Sequence, residues 1–258
     1  MATQRPGFPV KLTPTAAAAT RGVGPAMPVR PMSVSATPSM ASAAVRARMV
    51  QRLAAQGVAD ARVLRAMGTV ERHLFVDSAL VNQAYEDTSL PIGLGQTISK
   101  PNVVARMIEL LLGAPALANQ PEERLGRVLE IGTGCGYQAT VLSHVAREVY
   151  SIERLRGLHE RARVNLRPFR LATVHLLLGD GMIGYAKGAP YAAIIAAAGG
   201  ESVPQTWIDQ LAVGGRIVAP TQSAAGGQAL VVIDKTQAGL QRSVLEAVHF
   251  VPLKSGIA

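Results

Sequence analysis

The chain has 258 residues, of which 48% are hydrophobic and 17% charged, and its formal net charge is +9. A chain of this length forms one large domain or two small ones and can bury a substantial core. Its single cysteine excludes an internal disulfide framework and a structural zinc site with several thiolates. No apolar run approaches the roughly eighteen residues of a membrane-spanning helix. The charge, taken alone, favours nucleic acid or another anionic partner.

The positive charge is concentrated in residues 1–48, which contain six basic and no acidic residues and leave +3 of the +9 for the rest of the chain. Residues 1–40 are rich in Pro, Ala, Thr and Ser, and proline recurs too often for a helix or a central strand. Such a segment cannot bury enough surface to offset the entropy of ordering it. We therefore predict a disordered basic tail over residues 1–40 and a single domain over residues 41–258. No apolar signal-peptide core is present, so a cytoplasmic location is expected.

The first part of the predicted domain has a helical pattern. Apolar residues at three- and four-residue spacing predict a helix that ends near Gly57, and Asp60 is suited to cap a second one. Residues 90–99 contain one proline and two glycines, which predicts an extended loop. Pro101 is suited to the first turn of a further helix. Residues 41–113 are therefore predicted to form a helical cap.

From residue 126 the pattern changes to short apolar strands that alternate with helices. This alternation predicts an α/β fold, a doubly wound, mostly parallel sheet of the Rossmann-like kind over residues 126–258. Two late segments, residues 229–234 and 243–251, predict a closing antiparallel strand pair. The parallel strands are expected at residues 127–131, 148–153, 173–178, 191–197 and 215–219.

The turn that follows the first of these strands is the most informative stretch. It reads Gly-Thr-Gly-Cys-Gly-Tyr from Gly132 to Tyr137, and glycines there allow a tight turn and a close approach of a ligand to the backbone. A dinucleotide site has the spacing Gly-x-Gly-x-x-Gly, whereas here the third glycine comes one residue earlier, at Gly136. The spacing Gly-x-Gly-x-Gly after Glu130 is the usual form in methyltransferases that use S-adenosyl-L-methionine, which has no pyrophosphate.

Two acidic residues near the ends of the next strands agree with that cofactor. Glu153 ends the second strand, where its carboxylate can accept hydrogen bonds from ribose hydroxyls. Asp180, beside Gly181 after the third strand, can accept a hydrogen bond from the adenine amino group. Because all three features follow strand ends, they predict one S-adenosyl-L-methionine site at the carboxyl edge of the sheet.

Several segments resemble protein-L-isoaspartate O-methyltransferases, namely residues 84–87, 90–93, 95–99, 103–107, 128–140 and 249–253. The resemblance implies methyl transfer from S-adenosyl-L-methionine to the free α-carboxylate of L-isoaspartyl residues in damaged proteins and peptides. It implies that Ser99 is the active-site serine. It places the substrate beside Leu94, Gly95, Gln96, Thr97 and Ile98. It places the cofactor beside Glu130, Gly132, Thr133, Gly134, Gly136, Tyr137, Glu153, Asp180 and Gly181.

Other functions remain open at this point. The fourth strand carries Ala192 and Ala197 where the family usually has an acidic residue and a hydroxyl, which leaves room for a non-catalytic cofactor-binding module. Another methyltransferase, acting on nucleic acid or a small molecule, is the second alternative, although residues 197–200 lack the Pro-Pro motif of base amino-methylating enzymes. The histidines show no metal-ligand spacing, so no metal is expected. We expect a monomer that acts on isoaspartyl proteins and peptides and binds no specific nucleic acid and no membrane.

Overall fold

The computed structural model describes residues 40–117, 123–224 and 226–258. The predicted tail therefore lies outside the described residues, apart from Met40, which begins the first helix. Within the described ranges, no helix combines the length and the apolar character that crossing a bilayer requires.

Three helices and a small hairpin form the cap. Helix α1 (Met40–Ala55) is followed by α2 (Ala61–Thr69), and α3 (Pro101–Leu112) closes the cap after two short 3-10 helices, Arg72–Phe75 and Ser78–Gln83. The side chain of Asp60 caps α2 as predicted, because its Oδ1 accepts a hydrogen bond from Arg62 N at 2.8 Å. Apolar side chains from all three helices join the core of the following sheet.

The expectation of an extended loop over residues 90–99 is wrong. Strands β1 (Leu90–Gly93) and β2 (Gln96–Ile98) pair there as an antiparallel hairpin. The chain reverses because Gly93, Leu94 and Gly95 all have positive φ angles. The apolar residues of β1 alternate between buried and exposed, which anchors one face of the hairpin on the core.

A seven-stranded sheet forms the rest of the domain, in the order β5-β4-β3-β6-β7-β8-β9. The first five strands in this order are parallel, β8 is antiparallel to β7, and β9 is antiparallel to β8. The predicted fold class and its antiparallel closing pair are therefore confirmed. The strands are β3 (Leu125–Ile131), β4 (Ala146–Glu153), β5 (Val174–Leu178), β6 (Tyr191–Ala196), β7 (Leu211–Gln222), β8 (Gln228–Thr236) and β9 (Gly239–Val248).

Helices α4 (Tyr137–Ser143), α5 (Arg156–Leu166) and α6 (Gln205–Gln210) connect the parallel strands. After β3 the chain adds β4 and β5 on one side, then returns to place β6 on the other side of β3. Strand order therefore reverses between β3 and β6, and folds of this class bind ligands outside the carboxyl ends of the strands at that point. Strand β6 is almost wholly buried, which agrees with its run of apolar residues.

Candidate active site

The glycine turn between β3 and α4 lies at this reversal point. Gly134 and Gly136 have φ angles of 56° and 90°, a region that other residues rarely adopt. A Cβ atom on Gly136 would lie 2.2 Å from Leu166 Cδ1, so glycine there lets α5 pack against the turn. A Cβ atom on Gly134 would lie 3.1 Å from Ile92 Cδ1, at the wall of a cavity. Glycine at Gly136 thus permits helix packing, and glycine at Gly134 keeps the turn clear of the Ile92 side chain at the cavity wall.

The cavity beside the turn has a volume of about 490 Å³, which is within the usual range for a small-molecule site. On the sheet side it is lined by four of the predicted cofactor residues, Gly132, Gly134, Glu153 and Gly181. On the cap side it is lined by the hairpin residues Leu94, Gly95, Gln96 and Thr97, whereas Ile98 is buried in the core. The other predicted cofactor residues do not line it: Glu130, Thr133, Gly136, Tyr137 and Asp180.

Glu153 is the acidic group on the wall of this cofactor cavity, and only 5% of its surface is exposed. Its Oε2 accepts a hydrogen bond from Gly134 N and its Oε1 accepts one from Leu155 N, both at 2.9 Å. Each carboxylate oxygen has a further lone pair, so Glu153 can brace the turn and still accept from ribose hydroxyls. A buried acceptor beside an open glycine backbone fits the predicted cofactor.

Glu130 lies beneath the turn and is completely buried. The Ser151 hydroxyl donates to its Oε2, and Thr133 Oγ1 lies 2.6 Å from Ser151 Oγ. Its Oε1 has no hydrogen-bond partner among the described residues. Burial raises the pKa of Glu130 to about 8, so the carboxyl group is mostly protonated at neutral pH. In this geometry Glu130 supports the turn through Ser151 and Thr133.

Asp180 is engaged within the protein. Its Oδ1 accepts from Met182 N at 2.8 Å, and its Oδ2 accepts from Gly256 N at 2.6 Å, so it fastens residues near the end of the chain to the third strand's loop. The neighbouring Gly181 lies on the cavity wall, and its carbonyl oxygen accepts from Trp207 Nε1 at 2.8 Å. The predicted adenine contact therefore requires the second lone pair of an Asp180 oxygen or a rearrangement of Gly256.

A second cavity, of about 510 Å³, adjoins the first. Ser99 and Thr97 line it, and Thr97, Ala197 and Val251 belong to the walls of both cavities. The Ser99 hydroxyl forms no hydrogen bond with any described residue, while its carbonyl oxygen accepts from Arg72 Nη2 at 2.8 Å. Ser99 therefore presents a free hydroxyl to the space next to the cofactor cavity.

The charge of this second cavity is mixed. Arg106 pairs with Glu246 at 3.2 Å and with Glu109 at 3.5 Å. Lys100, next to Ser99, forms no ion pair within the described part of the chain, so its ammonium group remains available to an anion. This arrangement favours an anionic substrate group near Ser99.

Sequence reasoning missed the wall that residues 251–254 contribute to the cofactor cavity and residues 246–251 to the second one. Residues 249–253 are part of the family resemblance, but their position at and after the end of the last predicted strand does not indicate that they line the cavities. Of the two alanines that depart from the family pattern, Ala197 lines both cavities, while Ala192 lines neither. The departure at position 192 therefore lies away from the site.

Residues 44–258 match the family model described as protein-L-isoaspartate(D-aspartate) O-methyltransferase (PCMT). The chain belongs to this family. A protein-L-isoaspartate O-methyltransferase of Methylibium petroleiphilum is 57% identical over 97% of this chain and 96% of the relative. Another, of Leptothrix cholodnii, is 61% identical over 82% of this chain and 74% of the relative.

Two solved structures share the fold of this chain. A protein-L-isoaspartate O-methyltransferase structure matches 81% of the chain and 66% of its own length, with a TM-score of 0.71 and 28% identity. A structure from Plasmodium falciparum, described as a complex with S-adenosyl-L-homocysteine, matches 81% of the chain and 98% of its own length, with a TM-score of 0.65 and 22% identity. The predicted family and enzyme class are therefore confirmed, while the roles of the individual site residues stay predictions.

Proposed function

We propose that this PCMT-family enzyme moves a methyl group from S-adenosyl-L-methionine to the free α-carboxylate of L-isoaspartyl residues in damaged proteins and peptides. The observation that carries the assignment of the site is the contact between the two cavities. One is built on the glycine turn and Glu153, the other contains Ser99, and they share the wall formed by Thr97, Ala197 and Val251. A donor in the first cavity and an acceptor in the second would thus meet at Thr97 and Ala197.

This methyl transfer requires no acid or base side chain. The cofactor supplies a methyl group that is already electrophilic because it is bound to a sulfonium. A free α-carboxyl group has a pKa of about 3.5, so it is ionised at neutral pH and needs no general base. The protein's task is to hold the carboxylate in line at near-attack distance, and orientation of this kind supplies a large rate factor.

In this proposal the Ser99 hydroxyl performs that orientation. It would donate a hydrogen bond to one carboxylate oxygen and leave the other free to attack, while the ammonium group of Lys100 offsets the charge of the incoming substrate. Hydrogen bonds to charged groups contribute about 1.5–3 kcal/mol. Ser99→Ala should therefore lower kcat/KM by about ten- to hundredfold, and cofactor affinity should stay within about threefold because Ser99 does not line the cofactor cavity.

The deciding assay uses labelled S-adenosyl-L-methionine and an isoaspartyl peptide, with the same peptide containing a normal aspartyl residue as control. Methyl esters are base-labile, so alkali should release the label as methanol. Labelling of the isoaspartyl peptide alone supports the proposal. Equal labelling of both peptides, or of neither, would contradict it, and labelling of RNA or DNA in a parallel reaction would favour the nucleic-acid alternative.

We further propose that the enzyme acts as a cytoplasmic monomer without specific affinity for nucleic acid or membranes. Residues 49–258 carry only +3 of the net charge, which argues against an extended nucleic-acid surface on the catalytic part. Light scattering coupled to gel filtration checks the oligomeric state, and a mass of twice 27.0 kDa would contradict this proposal.

A further inference from the structure

Arg72 is a buried charged residue for which the proposed chemistry gives no role. It begins the 3-10 helix Arg72–Phe75 in the cap, and its exposed fraction is 0%. No carboxylate lies within ion-pair distance of it among the described residues, and its Nη1 lacks a hydrogen-bond partner there. Burying a charge without a counter-ion is costly, so a function other than stability would explain its presence.

The guanidinium group instead contacts both halves of the site. Its Nη2 donates to the carbonyl oxygen of Ser99 at 2.8 Å, and its Nε donates to that of Ala84 at 2.8 Å. Its Cζ lies 4.8 Å from the centroid of the Tyr137 ring, which is the distance of a cation–π contact. Tyr137 directly follows Gly136 and begins α4. One planar group therefore contacts the substrate segment and the helix that starts at the glycine turn.

From these contacts we propose that Arg72 is a positioning residue that fixes the distance between Ser99 and the cofactor turn. The inference rests on the proposed function of Ser99. The guanidinium donors have a rigid fork geometry, so the Ser99 backbone and the Tyr137 ring are held in one mutual arrangement. An error of about 1 Å in the placement of reacting groups can reduce the rate by about a hundredfold. A rigid link between the cap and the turn therefore acts on the chemical step.

Arg72→Lys is the main test, because lysine keeps the positive charge but lacks the planar fork. We expect kcat for an isoaspartyl peptide to fall by about ten- to hundredfold, while KM and the Kd for S-adenosyl-L-homocysteine change by less than about threefold. Val63→Ala is the matched control, because Val63 is equally buried in the cap but its aliphatic side chain can donate no hydrogen bond and make no cation–π contact. It should lower Tm and leave the kcat of the folded enzyme unchanged.

A double-mutant cycle separates positioning from a merely structural role. If Arg72 acts through Ser99, Arg72→Lys should cost less than about threefold in kcat when Ser99 is already alanine. If Arg72→Lys does not fold, kcat is measured instead for Tyr137→Leu, which removes the ring but leaves the Arg72–Ser99 hydrogen bond. This variant should also lower kcat about tenfold. An unchanged kcat in either folded single variant, or full additivity with Ser99→Ala, would overturn the proposal. A wild-type enzyme without isoaspartyl activity would instead overturn the proposed function.

Discussion

The protonation of Glu130 can be measured as a pH-dependent stability. The pKa of Glu130 is about 8 in the folded protein, against an ordinary value of 4.5. Between these values the folded state retains a proton that the unfolded state has lost, so the unfolding free energy falls as pH rises. This contribution to stability is complete below pH 4.5 and is lost as pH rises through about 8. One pKa unit corresponds to about 1.4 kcal/mol, and integration from pH 5 to pH 7 gives a loss of about 2–3 kcal/mol.

Glu130→Gln removes this proton linkage, and any cost of burying its amide group does not vary with pH. Glutamine resembles the protonated acid, stays neutral at every pH, and can accept from the Ser151 hydroxyl through its amide oxygen. The difference in unfolding free energy, variant minus wild type, should therefore increase by about 2–3 kcal/mol from pH 5 to pH 7. Urea denaturation of the cofactor-free enzyme at half-unit pH intervals measures it, and the contributions of titrating groups that do not interact with Glu130 cancel in the difference.

Glu148→Gln is the control for this experiment. Glu148 lies on β4 near the surface, and its hydrogen bond with Arg127 holds its pKa below the ordinary value. Its own charge state therefore does not change between pH 5 and pH 7 in the folded protein. The corresponding difference should change much less than for Glu130, and the remaining change comes from His175, whose Nε2 lies 3.5 Å from Glu148 Oε1. If the Glu130→Gln difference is equally flat, Glu130 is ionised in the folded protein at neutral pH, and the account of the turn given above is wrong.

Three further predictions concern the turn, its acidic brace and the N-terminus. Gly136→Ala should lower the unfolding free energy by about 2–4 kcal/mol, through left-handed strain and the clash with Leu166. Gly134→Ala should lower it by about 1 kcal/mol and chiefly weaken S-adenosyl-L-homocysteine binding in calorimetry. A larger loss of stability in Gly134→Ala than in Gly136→Ala would refute these roles of the two glycines. Glu153→Gln should weaken S-adenosyl-L-homocysteine binding about tenfold, because the backbone N–H of either Gly134 or Leu155 loses its carboxylate acceptor. Removing residues 1–39 should leave kcat/KM within twofold, since the family match begins at residue 44.

The sheet was predictable because its signals are local. Apolar runs of strand length, separated by helical patterns, gave β3 to β7 to within a few residues, and the spacing of Gly132, Gly134 and Gly136 indicated the class of cofactor. The hairpin was not predictable in this way, because its reversal depends on a positive φ angle of 52° at Leu94. Leucine rarely adopts a positive φ angle, so its presence in the sequence does not indicate such a turn. Residue propensities for local structure do not indicate which face of the core such a turn will pack against.

The cavity walls that sequence reasoning missed arise from contacts across long distances in the chain. Residues 251–254 reach the glycine turn only because β9 returns to the sheet and the chain then crosses over, where Leu253 N donates to Gly199 O at 2.8 Å. Asp180 was assigned to a ligand from its position after a strand, yet its partner Gly256 is 76 residues away. Spacing in the sequence predicted which residues are near the site, and tertiary packing decides which of them have free acceptors.

The sheet and the cap contribute different parts of the site. The carboxyl ends of the parallel strands supply the glycine turn and Glu153, but an open crevice would leave the donor and the acceptor exposed to water. The cap closes it with the hairpin and Ser99, and Arg72 joins that cap to Tyr137 at the start of α4. Because the nucleophile is already ionised, the rate depends on this geometry more than on proton transfer. Selection on the cap should therefore act on rigidity between Ser99 and the turn, which explains a buried cation that stability alone does not favour.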